Sequence, residues 1–305
     1  MLRYRYCLST LAIVCFISLS LAQQPCNPPH LPLQLGQLAK SHSIDNCSCT
    51  GGTKGDPGSQ IRIANDLQNS IKNNFLATST IQPKNIGIGD MLLLQGKVDA
   101  FTQAQLPRGD RFTLPSPSQR MLLRSLNLGG GRIFSEGDVV RMAGFVLDAH
   151  HSDVTSGESV NCDRLGCANN DIHIEVDANP RDPTKTKGQQ MNQEGVVTEI
   201  TPRHRPDLWD TFDSPDYSQV FRTHPVMFVG QLFYDASHHP GGAPDRAAVW
   251  EVHPVYAIYV CTGTTPQACP LNQQGNESVW LPFHKLKDFL HLTTVHVTKL
   301  CHDHP

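Results

Sequence analysis

Hydrophobic and polar positions alternate most cleanly in Asp171-Ile172-His173-Ile174-Glu175-Val176. Ile172, Ile174 and Val176 fall on one side, and Asp171, His173 and Glu175 on the other. A period of two is that of an extended strand with one face toward a core. Apolar content and length predict further strands at Val139–Leu147, Gly195–Thr201, Val226–Tyr234 and Val249–Val260. With all five numbered in chain order, Gly144 interrupts the first and Gly230 the fourth, and a glycine inside a strand permits a bulge or a sharp bend. Between the third and fourth, Asp207–Val220, led by Leu208, Trp209 and Phe212, reads as a helix or an ordered connection. Strand, strand, strand, helix, strand, strand is the chain order of an OB-fold barrel. The fold class expected is therefore mainly β within an α+β chain, a five-stranded OB-like barrel over residues 136–261. Five twisted strands could also make an open sheet or a sandwich.

The flanking regions carry weaker patterns. From about Ser59 to Phe75, Ile61, Ile63, Leu67, Ile71 and Phe75 recur at helical spacing, predicting a helix. Met91–Val98 reads as a strand and Ser118–Leu126 as a short helix, all within an N-terminal segment over 59–135. Gly89-Asp90-Met91-Leu92 with Gly96 and Val98 echoes Gly137-Asp138-Val139-Val140 with Gly144 and Val146, as if two strands shared one build. Residues 262–305 form a C-terminal extension, with a strand near Trp280 and a helix near Leu286–Leu292. Residues 23–58, rich in Pro, Gly, Asn and Ser, read as a tail held by its cysteines.

The first 22 residues change the setting of all this. Arg3 and Arg5 precede the apolar run Leu11–Leu21, and Ser20-Leu21-Ala22 places small residues at a cleavage site, the pattern of a signal peptide. The run is short for a membrane span and polar Gln23 and Gln24 follow it, so no membrane anchor is expected after cleavage. Loss of Arg3 and Arg5 leaves 23 of the 25 basic residues against 28 acids, a balance of −5. That disfavours a grip on phosphate backbones, so nucleic acid is not an expected partner. Of the 10 cysteines, Cys7 and Cys15 leave with the signal peptide, and an even number in an exported chain reads as disulfides. Cys162–Cys167 and Cys261–Cys269 are the local pairings expected, with Cys26, Cys47 and Cys49 tying the tail to Cys301.

The candidate chemistry collects on the barrel. In an OB topology the second and fifth strands flank the third, and the first–second and fourth–fifth loops rim the usual ligand face. That places His173 on strand two, Glu199 and Thr201 on strand three, and Glu251 and His253 on strand five. One rim supplies His150, His151, Asp153 and Glu158, and the other Asp235, His238 and His239. Eight of the 15 histidines lie between His150 and His253, and imidazoles bind metals and move protons near neutral pH. His173, His253, His238 and Asp235 would suit a divalent ion such as zinc or manganese, with Glu199 or Glu251 as general base on a bound water. Without a metal, a His/Glu pair could do acid–base work. His150, His151, Glu158, Asp171 and Arg203 are candidate ligand contacts, Arg203 lying in the basic turn Arg203-His204-Arg205. Against all of this stands a plain alternative, in which these side chains are the solvated face of a strand or turn. Trp250, Val252 and Tyr256 share a face by alternation and read as core rather than as a stacking platform. No GxSxG elbow, phosphate loop or dinucleotide fingerprint is present.

Four blocks resemble a family of uncharacterised secreted bacterial proteins: Gly157-Glu158-Ser159-Val160-Asn161-Cys162, Asn170-Asp171-Ile172-His173-Ile174, Gly230-Gln231-Leu232-Phe233-Tyr234-Asp235 with His238, and Trp250-Glu251-Val252-His253-Pro254-Val255. The likeness spans about Gln60 to Cys261. It implies a bacterial source and a shared fold, and brings no catalytic role with it. The function expected is an extracellular OB-like domain that binds a small molecule, glycan or protein ligand on a His/Glu-lined face. A metal-dependent hydrolase, with phosphoesters among its candidate substrates, is the alternative.

Overall fold

The structure is a computed structural model and describes residues 35, 38–39, 41–52, 55–75, 81–242 and 244–303. The signal-peptide reading and Cys26 lie outside the described residues.

Five strands carry the fold: β1 (Val139–His151), β2 (Ile172–Asp177), β3 (Val196–Ile200), β4 (Val226–Tyr234) and β5 (Trp250–Cys261). They pair in the order β1-β2-β3-β5-β4, and β1 returns to pair with β4, closing a barrel. Every pairing around it is antiparallel except β3–β5, which is parallel. This is the five-stranded OB-like barrel that the alternation predicts.

Closure depends on one strand serving two partners. Val139 to Gly144 pair with β4, and from Phe145 onward β1 pairs with β2. Gly144 sits at the changeover, where an added Cβ would lie 2.6 Å from the Asp177 carbonyl oxygen and 2.6 Å from a Val176 methyl. Real carbon atoms do not approach so closely, so the corner requires glycine. Ile172, Ile174, Val176, Leu232, Trp250 and Val252 are all fully buried in the core.

Helices close the ends and sides. Helix α4 (Pro215–Thr223) is capped by the Ser214 hydroxyl, which accepts from Asp216 N. Its Phe221 stacks on Phe212 with ring centroids 4.6 Å apart, and Phe212 meets Phe283 of the C-terminal extension at 5.3 Å. Helix α3 (Lys187–Glu194), which no apolar period announces, links β2 to β3. The short strand Trp280–Pro282 pairs with β5, and Lys84–Asn85 runs parallel to β1.

Two N-terminal expectations are corrected. Met91–Val98 is not a strand but part of helix α2 (Ile88–Asp99). Its buried positions Ile88, Met91, Leu94, Gln95 and Val98 follow the helical period, and the Asp90 carboxylate accepts from Gly87 N at 3.0 Å to start the first turn. The echo with Gly137–Val146 is therefore between a helix and a strand. Helix α1 (Gln60–Lys72) exists as predicted, with its polar side inward. Its buried residues are Ala64, Asn65, Gln68 and Asn69, while Ile61 and Ile63 remain 44% and 39% exposed. The surface beneath it is polar, and that reverses the usual preference of an amphipathic helix.

The disulfides are Cys47–Cys162, Cys167–Cys301 and Cys261–Cys269 among the described residues, and Cys49 is also disulfide-bonded. The Cys261–Cys269 expectation holds. Cys162 and Cys167 do not pair with each other. They diverge, one holding the N-terminal segment and the other the C-terminus, so the β1–β2 loop anchors both ends of the chain.

Candidate functional site

Alternation sends every second residue of a strand away from the core, and strand register then decides which of them meet. His150 pairs with His173, and His173 with Glu199. The parallel pairs Val197↔Glu251 and Thr198↔Val252 carry the same row on to His253. His150, His173, Glu199 and His253 thus form one line across the outside of the barrel. An outer row of this kind is ordinarily wet. Here His173, Glu199 and His253 are buried, and α1 packs against this part of the row with Gln68 and Lys72 turned inward.

The result is a buried polar cluster. His253 is fully buried, with Nδ1 2.8 Å from Glu199 Oε2 and 3.6 Å from Glu251 Oε2. Its Nε2 lies 3.6 Å from Asp171 Oδ2. Glu199 also meets His173 Nδ1 at 3.2 Å and Lys72 Nζ at 3.8 Å. Lys72 Nζ reaches Asp235 Oδ2 at 3.2 Å, and the same oxygen faces His238 Nδ1 at 2.9 Å. Asp235 Oδ1 accepts from Gln68 Nε2 at 3.2 Å, from Ser237 N at 3.0 Å and from the Ser237 hydroxyl. Behind them Arg246 pairs with Glu251, both fully buried.

A cleft of about 670 Å³ opens in front of this cluster, lined by α1, by residues around Arg111, by the β1–β2 loop and by Ser237 and His238. Lys72, Glu158 and His238 are where the cleft touches the cluster. Glu158 Oε2 accepts from Asp171 N at 2.9 Å and from Asn161 Nδ2 at 3.1 Å, so it stands directly between Asp171 and the cleft.

Burial and mutual charge divide the protons unevenly. Burial alone would depress the His253 imidazole, but Glu199, Glu251 and Asp171 outweigh it and push it up to about 10. Burial works against ionised Glu199 as well, yet Lys72, His253 and His173 hold it well below the usual carboxylate range. Asp235 is likewise held well down, against its burial, by Lys72 and His238. Glu158 goes the other way: burial, then the negative charges of Asp171 and Glu199, raise it well above the ordinary value. Asp171 is raised too, chiefly by burial. One site therefore holds two carboxyl groups whose proton affinities are driven apart, Glu199 downward and Glu158 upward, the arrangement that general acid–base work uses.

No protein-family model matches the chain, and no curated protein or solved structure is similar to it.

Of the residues the sequence singles out, the fold brings together His173, Glu199, Glu251, His253, Asp171, Asp235, His238 and Glu158. The four metal candidates do not share one point. Asp171, Glu199 and His253 form one group whose ligand atoms lie within 4.8 Å of one another, and Asp235, His238 and Glu251 form another. Glu251 sits behind the cluster rather than at the cleft. His150 is half exposed and stacks on His173 with ring centroids 5.2 Å apart. His151 is not in the site: one residue further along β1, its side chain turns to the opposite face, with Nδ1 2.8 Å from Asp213 Oδ2. Arg203 is also elsewhere. It is buried, and it donates to the Cys47 and Ser48 carbonyl oxygens, each at 2.6 Å, clamping the N-terminal segment instead of meeting a ligand. Lys72, Gln68 and Arg246 belong to the site and carry no motif, and Asn161 belongs to it from within the Gly157–Cys162 block, where nothing singles it out. The one signal for Lys72 is its place on the polar stripe of α1.

Proposed function

We propose that this chain is an exported protein whose OB-like barrel binds a neutral, hydroxyl-rich ligand of the sugar class in the cleft beside α1. The observation that carries the reading is the cleft's lining. Amides and hydroxyls of Asn65, Ser156, Ser159 and Ser237 alternate with Lys72, Arg111, Asp110, Asp153, Glu158 and Asp163. Donors and acceptors of both charges in one concavity suit vicinal hydroxyls, which need both. Phe112 at the rim is 52% exposed and offers an apolar face against which a sugar ring can lie. Four carboxylates in the same lining oppose a phosphoester dianion. The cleft also stands between the β1–β2 and β4–β5 loops, where OB barrels carry their ligands. Disulfides at both ends of the chain and the signal-peptide pattern support export.

A second reading, hydrolysis of that ligand, is favoured by Glu158 at the cleft, whose proton affinity burial and neighbouring carboxylates raise, with Glu199, held down by Lys72 and His253, behind it. The test is a titration of the purified chain with cellobiose, chitobiose and maltose, followed by NMR. Binding is expected to shift the signals of Phe112 and of the β1–β2 loop, and to weaken at least tenfold, about 1.4 kcal/mol, in Phe112→Ala. Silence from the whole panel, or binding indifferent to Phe112→Ala, contradicts the reading. Appearance of new reducing ends that stops in Glu158→Gln selects hydrolysis.

A further inference from the structure

Buried polar atoms normally find partners, because stripping them of water without replacement costs a few kcal/mol each. Beneath the cleft this rule fails repeatedly at one place. Asp171 Oδ2, Glu199 Oε2, Glu251 Oε2 and both ring nitrogens of His253 are buried and accept or donate no hydrogen bond. Their contacts are with one another: Glu199 Oε2 lies 2.8 Å from His253 Nδ1 without the alignment of a hydrogen bond, and Asp171 Oδ2 lies 3.6 Å from Nε2. Three acceptor oxygens and an imidazole facing a common interior call for something that attracts all of them.

Charge points the same way. Asp171, Glu199, Asp235 and Glu251 face two permanent cations, Lys72 and Arg246. Four carboxylates outnumber the two fixed cations, and a divalent ion would take the place of the proton that His253 otherwise carries among them.

We infer that Asp171, Glu199 and His253 form a binding site for one divalent transition-metal ion, beneath the sugar cleft and separate from it. Two carboxylate oxygens and one imidazole nitrogen are the mixed donor set that zinc or manganese accepts. Three protein ligands leave further positions open toward Glu158, which bonds to both Asp171 N and Asn161. Glu251 Oε2 lies 3.6 Å from His253 Nδ1, behind the ring, and adds negative charge to the site without being one of its three ligands. The neighbouring group of Asp235, His238 and Glu251 is the weaker site, because both Asp235 oxygens are already engaged by Gln68, Ser237, Lys72 and His238. The third cluster, His151 with Cys167 and Cys301, offers no thiolate, since its sulfurs are joined to each other.

The test uses the whole purified chain, stripped with a chelator, dialysed, and titrated with Zn2+ and Mn2+. Wild type should take up one equivalent. Asp171→Asn and Glu199→Gln, both close in shape to the originals, should each weaken uptake at least about tenfold, and His238→Gln should leave it unchanged. Uptake that survives Asp171→Asn and Glu199→Gln, or is lost in His238→Gln instead, overturns the assignment, as does a wild type that binds neither ion. Zinc-edge X-ray absorption on the loaded wild type reads the site without any variant. A shell of oxygen and nitrogen with one imidazole is expected, and a shell with several imidazoles, as surface histidines would give, overturns it. Sugar binding by the same protein is measured separately, so either idea can fail alone.

Discussion

The two faces of the same strands are both buried and are stabilised in opposite ways. Inside the barrel, Ile172, Ile174, Val176, Leu232, Trp250 and Val252 lose water and need nothing in return. One residue away along each strand, His173, Glu199, Glu251 and His253 lose water as completely and keep charges that must be answered. The first face explains why the chain folds. The second works against folding, and its burial under α1 makes sense only if the arrangement is used.

That contrast can be broken most strongly at Lys72. Lys72→Met should cost about 3–5 kcal/mol in urea denaturation at pH 7, because it leaves buried Asp235 and Glu199 without their cation. A neutral result would mean that the polar face is not electrostatically committed. On the apolar face, Ile174→Ala should cost about 3 kcal/mol through the cavity it leaves. That cost should be flat from pH 6 to pH 9, and a cost that varied with pH would blur the distinction between the faces.

The pH profile sharpens it further. The His253 imidazole is raised above its ordinary value, so its contribution to stability is complete below about pH 6.5. It is then lost as pH climbs through about 10. In metal-free protein the melting temperature should fall by at least about 4 °C over that window, and His253→Gln should flatten the fall. A slope unchanged by the substitution would assign the effect to other groups. The smallest effect expected is at Ile63, which α1 turns outward at 39% exposure. Ile63→Ser should change stability by less than about 0.5 kcal/mol. A loss of several times that would restore the conventional orientation of α1, with its apolar stripe inward.

How much of this the sequence reveals follows from what local pattern can carry. The barrel strands are legible because alternation is a local signal, and Gly144 marks the corner because only glycine fits there. Met91–Val98 misleads because a short apolar run has nearly the same look in a helix and in a strand, and only the cap at Gly87 and Asp90 decides. Disulfide partners are set by the closed fold, so Cys162 and Cys167 could be counted but not paired. The polar row is legible as a face: His173, Glu199, Glu251 and His253 all alternate against core residues. What covers that face is not legible, since Lys72 lies more than a hundred positions before Glu199 and meets it only through the docking of α1. His150 and His151 show the limit of proximity in sequence, because neighbours on a strand point to opposite sides.

The most direct measurement of the central claim, that the buried outer face is a site and not scaffolding, is anomalous diffraction at the zinc edge from crystals soaked in Zn2+. A single strong peak bounded by Asp171, Glu199 and His253 is the predicted result. Peaks confined to exposed histidines such as His302, with none bounded by Asp171, Glu199 and His253, would contradict it.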